Sequence, residues 1–120
     1  MVTLGLDIST TTVGYAFTEN KKILDMGFID IKKYKTHKDK SFFVLTHLSK
    51  SSYIDDVEQI YVEDNLSGFA GGRTSQQVII KLAKFNAVLC YMLEEEFQID
   101  VKNINPMTVR KNVFGKARIK

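Results

Sequence analysis

Two carboxylates stand at the ends of apolar runs, and they are the side chains from which chemistry is expected. Asp7 closes the first apolar run within residues 4–17 (LGLDISTTTVGYAF), ahead of a Ser/Thr turn and a second apolar run. Glu63 closes residues 59–63 (QIYVE), where an extended chain would put Ile60 and Val62 on one face and Tyr61 and Glu63 on the other. A charge at the inner end of a buried hairpin is costly unless a cation compensates it, which makes Asp7 a functional candidate. If the two runs are neighbouring strands, both carboxylates leave one sheet edge, where they repel unless they share a divalent ion. Magnesium suits such hard oxygen ligands, with manganese as its substitute, and it leaves positions for water and substrate phosphates. Pairs of such ions about 4 Å apart hydrolyse phosphodiesters by clamping the attacking and leaving oxygens. The competing reading is that each acid merely caps a turn.

The other reactive types are weaker candidates. Asp64 would point to the face opposite Glu63 and is a spare ligand; Asp55, Asp56 and Glu58 read as a solvated loop, and residues 94–96 (EEE) as a solvated helix end. His37 and His47 have no partners at metal-ligand spacing. Cys90 is the single cysteine, so no disulfide framework exists within the chain; packing is a better account of it than nucleophilic catalysis, and a reducing compartment is favoured. Net charge is only +3, but residues 32–40 carry five lysines against Asp39, and residues 107–120 carry Arg110, Lys111, Lys116, Arg118 and Lys120 with no acid. Both stretches are candidate phosphate-contacting surfaces, weighed against simple solvation.

The elements that must position these groups follow from periodicity. Residues 3–7, 13–17 and 22–31 read as a three-stranded meander with a turn at Glu19 and Asn20. A short helix is expected over 41–48 from Phe42, Leu45 and Leu48. After the strand 59–63, the glycine-rich loop 65–73 (NLSGFAGGR) leads to a long helix over 74–97, with Val78, Leu82, Phe85, Leu89 and Met92 on its apolar face. Residues 101–104 suit a further strand, and Pro106 opens a last helix over 108–114, stopped by Gly115. The order βββαβαβα predicts an α/β fold with a mixed sheet, the antiparallel meander plus parallel strands, flanked by helices in a single domain over 1–120.

Three segments together carry a family resemblance. Residues 4–17 resemble the first motif of RuvC-type Holliday junction resolvases in the ribonuclease H-like superfamily. Residues 60–89 resemble their second motif, a strand ending in Glu followed by a loop and a long helix. Residues 101–120 resemble their next strand and the lysine-rich segment after it. The resemblance spans nearly the whole chain in the right order. It implies a structure-selective, metal-dependent endonuclease that resolves four-way DNA junctions in recombination and repair, with Asp7 and Glu63 as catalytic, metal-binding carboxylates. It also implies that Phe69, in the loop, reaches into the junction by stacking, that Lys116 and Lys120 face the DNA backbone, with Arg110, Lys111 and Arg118 nearby and Arg73 as a further candidate nucleic-acid contact, and that the enzyme is a homodimer acting on a two-fold symmetric substrate. The family's remaining carboxylates lie on a helix beyond this point, whereas here no acid follows Asp100. The expectation is a C-terminally truncated chain, or a shortened non-catalytic DNA-binding version.

Other readings stay open. Residues 5–17 also resemble the first phosphate-binding turn of actin-like ATPases, the sugar kinases and heat-shock chaperones, where Ser/Thr and backbone N–H groups hold phosphates. A resolvase-like family of ribosomal RNA processing shares the first motif but has a Gly-Leu-Pro strand end where this chain has Val62, Glu63 and Asp64. A purely structural adaptor is the third class. With 44% hydrophobic and 26% charged residues in 120, the composition suits one soluble, cytoplasmic domain with no small organic cofactor. No window approaches the roughly 18 apolar residues of a membrane span.

Overall fold

The computed structural model describes residues 1–63 and 76–104. Five strands form one mixed sheet: β1 (Val2–Ile8), β2 (Thr12–Glu19), β3 (Lys22–Asp30), β4 (Val57–Glu63) and β5 (Val101–Ile104), in the order β3-β2-β1-β4-β5. β1, β2 and β3 are antiparallel neighbours, and β4 and β5 add in parallel on the other side of β1. The expected mixed α/β sheet is therefore observed. Asn20 and Lys21 both have positive φ, of 52° and 65°, the geometry of a tight two-residue hairpin turn between β2 and β3.

Strand alternation divides the side chains between two faces. Val2, Leu4, Leu6 and Ile8 of β1 join Val13 and Phe17 of β2, Ile29 of β3 and Ile60 and Val62 of β4 in one buried cluster. Both helices cover that face: α1 (His37–Ser49) contributes Val44, Leu45 and Leu48, and α2 (Gln76–Phe97) contributes Leu82, Phe85, Leu89 and Leu93. Each such side chain, fully buried, is worth about 1.5–3 kcal/mol of transfer free energy. α2 ends where Gln98 adopts a left-handed φ of 56° and its N–H donates to the Glu94 carbonyl. No described helix is long and apolar enough to cross a membrane.

Three sequence expectations need correction. α1 starts at His37, four residues before the expected Ser41, because Thr36 caps it by accepting the Asp39 N–H at 3.0 Å. Its buried stripe is Ser41, Val44, Leu45 and Leu48, while Phe42, expected inside, is exposed. On α2, Val78 is exposed and Met92 only half-buried; Leu93, one turn beyond Leu89, completes the stripe. Asp55 and Asp56, read as loop, lie in a 3-10 turn (Ile54–Asp56) before β4, though both are exposed as expected. The helix expected over 108–114 lies outside the described residues.

Candidate active site

The parallel pairing of β1 with β4 decides the position of the two carboxylates. Leu6 pairs with Val62, so the next residue of each strand, Asp7 and Glu63, stand side by side at the same sheet edge. Alternation sends both away from the helices. Across this second face the register runs from Phe28 on β3 to Gly14 on β2 to Asp7 on β1, and Glu63 in turn pairs with Ile104 on β5. One row earlier, Ala16, Gly5, Tyr61 and Lys102 lie side by side, and Tyr61 and Ile104 pack on the buried Ala16. The two acids therefore stand side by side in a row that Gly14 and Phe28 continue on one side and Ile104 on the other.

Their environments differ in a way opposite to expectation. The hairpin pattern placed the cost of burying charge on Asp7, but Asp7 is exposed and Glu63 is only 7% exposed. The cause is the neighbour: Asp7 pairs with Gly14, which has no side chain to cover it, and a Cβ at Gly14 would lie 3.8 Å from the Asp7 Cβ. Burial thus acts on Glu63 and not on Asp7. One exposed and one buried hard-oxygen ligand, held on adjacent strands, suit magnesium, which takes one or two carboxylates and completes its shell with water and substrate oxygen. Among the described residues no group of three or more His, Cys, Asp and Glu side chains forms a candidate metal site.

The Ser/Thr turn between β1 and β2 is closed on itself. Ser9 Oγ accepts the N–H groups of Thr11 and Thr12, at 3.3 and 3.0 Å, and donates to the Thr12 carbonyl at 2.9 Å, while the Ser9 N–H also donates to that carbonyl. The Thr11 and Thr12 amides that a phosphate-binding turn would present are thus already engaged. Lys40 Nζ reaches across from α1 to the Thr10 carbonyl at 2.7 Å. That places a cation from the lysine-rich stretch, expected as a candidate phosphate-contacting surface, at the same edge as Asp7.

The remaining candidates separate cleanly. Cys90 is half-buried on α2, donates to Asn86 Oδ1 at 3.1 Å, and burial pushes its thiol up to about 11, the behaviour of a packing residue and not of a nucleophile. His47 stands at the far end of α1 against Tyr15 and Phe43, remote in sequence and contact from the carboxylates. Glu58 and residues 94–96 are exposed, and Asp100 is exposed between α2 and β5. Asp64, Phe69, Arg73, Arg110, Lys111, Lys116, Arg118 and Lys120 lie outside the described residues.

No family model matches the chain, and no curated protein matches it in sequence. Solved structures do match. T. thermophilus RuvC in complex with a Holliday junction substrate aligns with a TM-score of 0.66 and 12% identity, over 97% of this chain and 80% of that one. A second Thermus thermophilus RuvC structure aligns with a TM-score of 0.65 and 16% identity, over 100% and 73%. The fold is ribonuclease H-like. That ribonuclease H-like core is also shared with a ROK hexokinase from Thermus thermophilus, at a TM-score of 0.60 and 16% identity over 98% of this chain but 39% of the kinase. At such identities the likeness concerns the fold, and function has to be argued from the site.

Proposed function

We propose that this chain is a metal-dependent, structure-selective DNA endonuclease of the Holliday junction resolvase type. The observation that carries the reading is the juxtaposition of Asp7 and Glu63 at adjacent parallel strand ends, on the sheet face that neither described helix covers. In this reading both carboxylates hold magnesium, which would supply electrostatic stabilisation to a phosphodiester under attack by water. Asp7, being exposed, meets the substrate side; Glu63, being buried, fixes the site to the sheet. Basic side chains at the same edge, Lys40 among those described, neutralise the strand that is brought in. A four-way junction has two-fold symmetry and needs two cuts, so the reading includes a homodimer, for which the exposed Ile80 and Tyr91 of α2 offer apolar surface.

The actin-like alternative draws support from the likeness to the hexokinase. Against it stands the turn, whose Thr11 and Thr12 amides are held by Ser9. The deciding experiment is cleavage of a labelled four-way junction and of a linear duplex, with magnesium or with EDTA, alongside a direct assay of ATP binding. Magnesium-dependent cutting of the junction supports the nuclease; no preference for the junction at any salt together with ATP binding supports the kinase-like reading.

A further inference from the structure

A second group of charged side chains lies on the helix-covered side of the same edge, assembled from parts of the sequence far apart. His37 and Lys40 come from the first turn of α1, and Lys81 and Lys84 from α2. Phe85 is the common floor: the His37 ring stacks on it with centroids 6.1 Å apart, and Lys40 Nζ lies 5.9 Å from its centroid. Lys40 Nζ also touches the Thr10 carbonyl. Thr10 is three residues from Asp7, a stretch of chain spanning at most about 11 Å.

The three lysines bear on the His37 ring. The His37 imidazole is held below its ordinary range, first by burial and then by the charges of Lys40, Lys84 and Lys81. Its Nδ1 is buried and has no hydrogen-bond partner among the described residues. Lys81 and Lys84 are exposed, and Lys40 and His37 partly so. A fold gains nothing by gathering like charges around a ring nitrogen; the arrangement suits a polyanion that brings the compensating charge.

We propose that His37, Lys40, Lys81 and Lys84 form a phosphate-holding shelf that grips the backbone of a nucleic-acid strand next to the Asp7 and Glu63 edge. The shelf rests on the proposed action on DNA but not on cleavage. It reads no base, because lysines act as point charges on phosphate. A bound phosphate also places negative charge beside His37, so that binding raises the proton affinity of that ring.

The test is binding of a labelled four-way junction in EDTA across a salt series, for wild type, for Lys81→Ala/Lys84→Ala, and for the control pair Lys22→Ala/Lys50→Ala, which removes equal charge elsewhere. The shelf predicts that the slope of log affinity against log salt falls by about 2 in the first variant and is unchanged in the control. With only two histidines in the chain, an NMR titration adds a second readout. The His37 midpoint should move up when DNA is bound, while the His47 midpoint stays. An unchanged slope in a folded Lys81→Ala/Lys84→Ala protein, an equal fall in the control, or an unmoved His37 would overturn the shelf. Cleavage assayed separately with magnesium keeps the two proposals apart: a chain that binds through the shelf but never cuts loses the nuclease reading only, and one that cuts with an unchanged slope loses the shelf only.

Discussion

The two faces of the sheet obey different rules. On the face toward α1 and α2, Leu4, Leu6, Val13, Phe17, Ile60 and Val62 interlock with Val44, Leu48, Phe85 and Leu89, all almost wholly buried. On the other face, the same strands carry Asp7, Gly14, Phe28, Tyr61 and Glu63, and Phe28 is 75% exposed. The first face holds most of the core, while the second carries, among the described residues, only the small cluster of Ala16, Tyr61 and Ile104 beside its charged groups. A single strand such as β1 serves both purposes at consecutive residues, Leu6 for the core and Asp7 for the site.

Truncations on each face would sharpen that contrast most strongly. Phe17→Ala should destabilise the protein by about 3–5 kcal/mol in urea unfolding, whereas Phe28→Ala should cost within about 0.5 kcal/mol. Comparable losses from both would break the division. Glycines give a finer test. A Cβ at Gly27 would lie 2.8 Å from the Tyr15 hydroxyl, whose ring packs on Phe17 and His47, whereas a Cβ at Gly14 meets the exposed Phe28 ring at 3.3 Å and the Asp7 Cβ at 3.8 Å. Gly27→Ala should therefore cost about 1–3 kcal/mol of unfolding free energy and Gly14→Ala less, because Phe28 can swing away. A more local effect concerns the shelf side of the molecule. Thr36→Ala removes the cap of α1 and should cost about 1 kcal/mol, with increased amide exchange confined to the first turn of α1.

Much of this arrangement was legible in the residues. Runs ending in Asp7 and Glu63 gave the strands, alternation in QIYVE placed Ile60 and Val62 opposite Tyr61 and Glu63, and Leu82, Phe85 and Leu89 marked the buried side of α2. What escaped depended on partners distant in sequence. The exposure of Asp7 accords with Gly14 standing opposite it, a matter of register between strands. The face of α1 was misjudged because Phe42 is apolar yet exposed, while Ser41 is polar yet wholly buried. The lysines of residues 32–40 read as a candidate phosphate surface or a solvated run, and only the helix packing that sets Lys40 over Phe85 distinguishes one of them from the rest.

The central claim is that Asp7 and Glu63 act as one magnesium site. A double-mutant cycle on junction cleavage tests it directly, comparing Asp7→Asn, Glu63→Gln and the double variant, with folding checked by circular dichroism. One shared site predicts that each single substitution abolishes magnesium-dependent cutting and that the double variant is no worse than either. Cutting that persists in Asp7→Asn, or losses that multiply in the double variant, would contradict it.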